Sequence, residues 1–429
     1  MGIRSEPASS HFTLILLGVL HAFTHGLMTM FAPLYLLMRD DLRLSGVWPA
    51  AVLVTLYGVV YFGLSFPAGM LADRFSRKLL LTIGLVGNSL AIFCMGLTDS
   101  YGLLVMLAVL AGVFGTLFHP SANSLVTALY PKAPGMAMGL LGAGAGVGFF
   151  AGPQFAGWRA ETSLFAWSLP GPFSHVSSWQ RPCIELGIAG ICTGLLFFML
   201  AREAPRLKAV GTARVRMTRQ LFRQVLAVAV ALLPRDFAWG GMIVLTSVYL
   251  QKAHGMGPKQ VGFLLGGMML WSTIANPVTI AITHGRRRLP ALATTMVLAG
   301  IGIAAIPWTP VSWVLVTLSL YQIFALGSVA LTDASVVERV PAEVRGRAVG
   351  VQLSVLGAIG STSTWLMGAI VDRMGTSLSE PRAYLLPFAV LGGMFVLATI
   401  AVPLMGRIGR TPKSATEEVS GTCEVHATA

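Results

Sequence analysis

Gly69-Met70-Leu71-Ala72-Asp73-Arg74-Phe75-Ser76-Arg77-Lys78 separates two long apolar runs, one ending near Met70 and the next starting at Leu79. A glycine, an aspartate and three cations so close together do not lie in hydrocarbon, so the stretch reads as a short loop at a membrane surface. Its cations assign that surface to the cytoplasm. With this loop placed, alternation gives every other span its direction. The composition points the same way. The chain is 55% apolar and 11% charged, against roughly a quarter charged for a soluble protein. At about 20 apolar residues per transmembrane helix, the 429 residues leave room for about a dozen helices. The runs are continuous rather than alternating, which excludes a β-barrel. No cleavable signal is expected, because 1–10 is polar and the run 11–38 is too long for a signal core.

A net charge of +13 raises the question of a polyanionic partner. Placement answers it. Of 30 Lys and Arg, alternation puts 21 on the cytoplasmic side, 8 on the other side and 1, Arg235, inside a helix. That is the positive-inside bias, and it leaves no need for nucleic acid. The four cysteines, Cys94, Cys183, Cys192 and Cys423, have no spacing typical of a metal site or a disulfide framework. The expected partners are the lipid bilayer, a small-molecule substrate and protons. No cofactor is expected, and the chain is expected to act as a monomer.

The opening stretch resembles the signature loop between helices 2 and 3 of the major facilitator superfamily, which reads roughly G-x-L-a-D-r-x-G-r-k. Gly69, Leu71, Asp73, Arg74, Arg77 and Lys78 match, and Ser76 stands where that family usually has Gly. Gly69 lets a second helix approach closely, and Asp73 can face the positive N-terminal end of a neighbouring helix. The resemblance implies an all-α membrane protein with twelve transmembrane helices in two pseudo-symmetric six-helix bundles and a substrate site near the midplane.

Spans are expected over 11–38, 46–69, 79–97, 101–130, 135–157 and 183–200, then 224–251, 260–283, 290–308, 311–334, 347–374 and 383–406. This makes 1–200 an N-terminal bundle, 201–223 a basic cytoplasmic linker, 224–406 a C-terminal bundle and 407–429 a polar, disordered cytoplasmic tail. The linker carries Arg202, Arg206, Lys208, Arg214, Arg216, Arg219 and Arg223. The external segment 158–182 holds three Trp, which suit the membrane interface. The halves repeat. A shift of 214 residues sets Gly26 on Gly240 and Tyr35-Leu36 on Tyr249-Leu250. Gly135 and Gly139 echo Gly346 and Gly350, and Asn123 falls opposite Asp333. The second basic loop, His284-Gly285-Arg286-Arg287-Arg288, has no Asp, so the halves are not interchangeable.

Several ionisable groups lie inside the spans, where they are costly and are functional candidates. His21 and His25 sit about 15 Å into the first span and share a helix face at i and i+4. His119, before Pro120 and near Asn123, lies in the fourth span. Arg235 and Asp236 follow Pro234 in the seventh. Histidine exchanges protons near neutral pH. Arg235 can bind an anionic group through two nitrogens, with Asp236 as its counter-ion or as a proton carrier; neighbours on a helix point about 100° apart, so the two need not pair. A conformational lock at Arg235 is the rival reading. Phe118-His119-Pro120, the histidines of helix 1 and Arg235 resemble the fosmidomycin-resistance branch of the superfamily, which implies export of small drugs by proton antiport. Gly148, Gly152, Pro153 and Gly157 match its antiporter motif g-x-x-x-G-P-x-x-G-G, with Ala156 for one Gly. That motif implies a gating interface at the outer end. One departure stands out: 101–116 has no Arg, where the proton antiporters of this superfamily usually keep one. Proton coupling then rests on His21, His25, His119, Asp236 or Asp333. Asp333 and Glu338 are expected to latch cytoplasmic loops with Arg339, Arg345 and Arg347.

These readings converge on a secondary active transporter of the bacterial inner membrane, with cytoplasmic termini, exporting a small organic solute by proton-coupled alternating access. An uptake symporter for an organic anion needs the same groups. A metal or metal-chelate carrier is permitted by His21, His25 and His119 but has no Cys or carboxylate cluster behind it, so no metal site is expected. A scaffold or sensor has no need to bury Arg235. No nucleophile–base set or phosphate loop points to an enzyme.

Overall fold

A computed structural model describes residues 8–162, 176–204, 217–283, 285–341 and 344–409. The linker cations Arg206, Lys208, Arg214 and Arg216, most of the external segment 158–182 and the tail beyond 409 lie outside these residues. The described chain is helical. The N-terminal half holds α1 (Ala8–Thr29), α2 (Tyr35–Asp41), α3 (Val47–Gly63), α4 (Ser65–Arg74), α5 (Arg77–Met95), α6 (Tyr101–Gly115), α7 (Phe118–Leu129), α8 (Pro134–Glu161) and α9 (Gln180–Leu200). The C-terminal half holds α10 (Arg219–Lys252), α11 (Pro258–Ile282), α12 (Arg288–Ala305), α13 (Val314–Arg339), α14 (Arg345–Met374), α15 (Leu385–Leu397) and α16 (Ala401–Met405).

Among the described residues, 10 helices are long and apolar enough to cross a membrane, and α3 with α4, bent by 47°, forms an eleventh span. α11, with 25 residues, stands where the remaining span is expected. The interruptions have local causes. Pro33 has no amide to donate, and the chain turns between α1 and α2 there. Thr116 and Leu117 break the fourth span, and Pro120 then falls in the first turn of α7, where a missing amide costs nothing. Pro153 and Pro234, by contrast, sit inside the continuous helices α8 and α10.

The packing repeats between halves. In the first, α1 lies on α8, α3 on α6, α5 on α6 and α9; in the second, α10 lies on α14, α11 on α13, α12 on α13 and α15. Each pair has its counterpart one half later. The halves meet through α8 on α11 and α3 on α14, contacts that the same two-fold relation exchanges. Small residues allow the close approaches. A Cβ on Gly144 or Gly148 would strike the backbone of Gly18 or Ala22 in α1, and one on Gly262 or Gly266 would strike the α8 backbone.

The two ends differ. At the end opposite the basic loops, the halves are tied. Asp372, in the last turn of α14, accepts from the Val47 and Trp48 amides of α3 at 2.7 and 2.8 Å. Glu161, at the end of α8, accepts from the Lys259 amide of α11 at 2.9 Å. Each carboxylate caps a helix N-terminus of the other half, satisfying amides that have no partner within their own helix. Ser247 donates to the Ala32 carbonyl at 2.6 Å nearby. Trp179 belongs to this end and is fully buried, with its indole N–H on Asp41 at 2.8 Å. It therefore packs inside the protein rather than on the membrane surface. Toward the basic end the halves part: a Cβ on Gly135, Gly139, Gly346 or Gly350 would meet nothing within 4 Å.

The basic loop 69–78 is held within its own half. Ser76 caps α5, its Oγ accepting from the Leu79 amide at 3.1 Å and donating to Glu203 at 2.6 Å. This gives a reason for Ser where the family pattern has Gly. Arg77 is buried against Glu203 at 3.0 Å and the Ser124 carbonyl at 3.3 Å. Two expectations change. Asp73 and Arg74 are exposed, and Asp73 has no hydrogen-bond or ion partner among the described residues, so it caps no helix in this conformation. Gly69 is not a close contact, since its nearest neighbour would be Pro120 at 4.0 Å.

Candidate functional site

A cavity of about 250 Å³ lies between the halves. His25, Thr29, Phe62 and Phe149 line it from the first half, and Arg235, Asp236, Trp239, Asp333 and Gln352 from the second. Met28, Met268 and Met269 add polarisable apolar surface. The wall is mostly apolar with few convergent polar groups, the usual make-up of a small-molecule site.

The second half supplies the charge. Arg235 is 2% exposed. Despite being sequence neighbours, Arg235 and Asp236 do pair: Nε and Nη2 donate to Asp236 Oδ2 at 2.8 and 2.7 Å. Nη1 donates to Thr332 Oγ1 at 2.8 Å and to the Ser328 carbonyl at 3.3 Å, both on α13. A buried guanidinium needs such satisfaction. The expected free, bidentate face toward an anion is thus already taken by Asp236. The pair lies within one half, so it does not bolt the halves together.

The first half supplies imidazoles. α1 places His21 and His25 one turn apart, and their Nε2 atoms lie 3.0 Å apart. His21 Nδ1 lies 2.8 Å from the Leu141 carbonyl of α8. α7 brings His119 in, with ring centroids 5.2 Å from His21 and 5.5 Å from His25. Phe118 stacks on His21 and Phe149 packs against His25. His25 reaches the cavity wall, whereas His21 is behind it. Asn123 is exposed and is not among the cavity residues.

The remaining candidates separate. Gly148 and Gly152 pack against α1, and Pro153 lines the cavity. Asp333 also lines the cavity and does not share a latch with Glu338. Glu338 instead pairs with Arg288 of α12. Arg339 and Arg345 donate to the Ser335 and Val340 carbonyls. Two groups escaped the reading of the sequence. Gln352 is 2% exposed with neither side-chain polar atom bonded, and the Trp239 indole N–H has no acceptor among the described residues. A lone Gln within the apolar run of α14 was the available signal.

The chain is similar to known resistance and transport proteins. The family model described as Major Facilitator Superfamily matches residues 14–361. The tetracenomycin C resistance and export protein of Streptomyces glaucescens is 25% identical over 371 residues, 72% of this chain and 66% of its own length. The puromycin resistance protein of Streptomyces alboniger is 33% identical over 115 residues, covering 25% of this chain and 23% of that protein. The quinolone resistance protein NorA of Staphylococcus aureus is 23% identical over 258 residues, 59% of this chain and 60% of its own. The chain therefore spans less than two thirds of the length of these relatives. Among solved structures, a bacterial homolog of the human lysosomal transporter Spinster, inward-facing and unoccupied, superposes with a TM-score of 0.75 at 17% identity, covering 95% of this chain and all of that one. The nucleoside transporter NupG gives 0.73 at 12% identity, with 92% and 99% covered. A family model spanning most of the chain, two helix bundles repeating one packing scheme, and a cavity between them place this chain in the Major Facilitator Superfamily.

Proposed function

We propose that this transporter exports a small, largely apolar organic compound from the cytoplasm in exchange for protons. The observation that carries the proposal is the cavity between the halves, where aromatic and Met surface surrounds His25, Arg235, Asp236 and Asp333. The named relatives, resistance proteins for tetracenomycin C, puromycin and quinolones, support the direction. The aromatic wall suits a ring compound. Gln352 and Trp239 supply hydrogen-bonding atoms that no described residue uses.

In this reading the basic end is cytoplasmic and the conformation is open to the cytoplasm. Compound enters from that side. Asp236 sits paired with Arg235 while the site carries no proton. A proton arriving from outside neutralises Asp236 and frees the Nε and Nη2 donors of Arg235, which changes what the cavity binds. Asp333 and His25 give the proton alternative positions on the same wall. The linker 201–223 joins the rocking halves, and Asp73 becomes free to meet a helix N-terminus when the basic end closes.

The test is proton flux in everted inner-membrane vesicles energised by respiration. Aromatic drugs, organic anions and metal salts are added in turn. Release of lumenal protons on adding an aromatic compound is the expected result. No release across the panel, with folded protein in the vesicles, overturns antiport.

A further inference from the structure

Three imidazoles converge at the cavity wall, with His25 on it, and their hydrogen bonds dictate where lone pairs point. The Leu141 carbonyl can only accept, so His21 Nδ1 carries the ring hydrogen and His21 Nε2 keeps its lone pair. His25 Nε2, 3.0 Å away, must then donate to it. His119 completes the group, and one nitrogen from each of the three rings lies within 4.8 Å of the others. The rings are wedged in place by Phe118, Phe149 and Tyr61. An imidazole with one nitrogen tied to a backbone carbonyl and the other aimed inward is the arrangement that orients metal-binding histidines.

We propose that His21, His25 and His119 bind one divalent transition cation of the zinc, cobalt and nickel class. His25 takes part by moving its hydrogen from Nε2 to Nδ1, so three neutral imidazoles bind without net proton loss. Bonds of about 2.1 Å place tetrahedral ligands about 3.4 Å apart. The close pair opens slightly, and the widest separation shortens by up to about 1.4 Å, within reach of a side-chain rotation. The fourth position takes water or an anion. The all-nitrogen set selects against Mg²⁺ and Ca²⁺, which prefer oxygen. An occupied site ties α1 to α7 within one half. It also removes His25 from proton exchange, a consequence that rests on the proposed function.

The test uses the full chain in lipid nanodiscs, titrated with CoCl₂ and then ZnCl₂. One Co²⁺ per chain with the intense visible bands of tetrahedral cobalt, displaced by Zn²⁺ but not by excess Mg²⁺, is expected. His119→Gln, and separately His21→Gln with His25→Gln, should weaken binding by about a hundredfold or more. Equal affinity in a folded variant lacking all three histidines overturns the site, because binding then belongs to the other histidines of the chain. X-ray absorption of the Zn²⁺-loaded wild type gives an answer that needs no variant: fewer than three nitrogen ligands overturns the proposal. Three nitrogen ligands without Zn²⁺ block of transport uphold the site and count against His25 as a proton group.

Discussion

Arg235 has four hydrogen-bonding contacts and almost no exposure, so removing it strips Asp236 of its charged partner, while Thr332 keeps its bond to the Ser328 carbonyl. Breaking a buried pair from one side costs about 3–5 kcal/mol. Arg235→Ala is expected to abolish transport and to lower the melting temperature measurably in detergent. Asp236→Asn should be milder on folding, since the amide oxygen still accepts from Arg235. It is expected to retain exchange of labelled compound across proteoliposomes while losing accumulation driven by a pH gradient. Retained pH-driven accumulation would show that the proton travels elsewhere. Gln352 makes the opposite prediction. Its polar atoms are buried and unbonded, which penalises folding. Gln352→Leu should therefore stabilise the protein by about 1 kcal/mol while raising the KM for export. A loss of stability would mean that Gln352 is structural.

Glu161 and Asp372 form one device repeated twice. They are 211 positions apart, the shift that relates Gly135 to Gly346, and each caps a helix of the opposite half. A capping contact is worth about 1 kcal/mol, so two together hold the far end closed by about 2 kcal/mol, or ~30-fold in population. Glu161→Gln with Asp372→Asn should open that end. With Cys94, Cys183, Cys192 and Cys423 replaced, a cysteine at Thr29 is expected to react faster with an impermeant thiol reagent applied from outside. An unchanged rate would place the closing energy in the helix packing instead. That packing has its own prediction. Gly148→Leu puts a side chain into the Ala22 backbone, so α1 and α8 cannot approach, and folded yield should collapse.

With the basic loops on one side of the bilayer, a reporter fused after residue 409 should be active only as a cytoplasmic enzyme, and expression in a drug-sensitive host should raise tolerance to the compounds that release protons. Much of this architecture was legible in the chain itself. Hydrocarbon admits only helices long enough to cross it with every amide paired, and charge is tolerated only between them, so the spans and the two-fold repeat follow from local pattern. The same cost of burial singled out His21, His25, His119, Arg235 and Asp236. Partnership was not legible, because it depends on distances between helices far apart in sequence. Asp333 turned to the cavity, Glu338 found Arg288, and Asp236 occupied Arg235. Gln352 and Trp239 became candidates only when the neighbouring helices left them without partners among the described residues. The sequence by itself determined which residues could not face lipid; the tertiary structure alone decided what each faced instead, since that choice is made by packing between the halves.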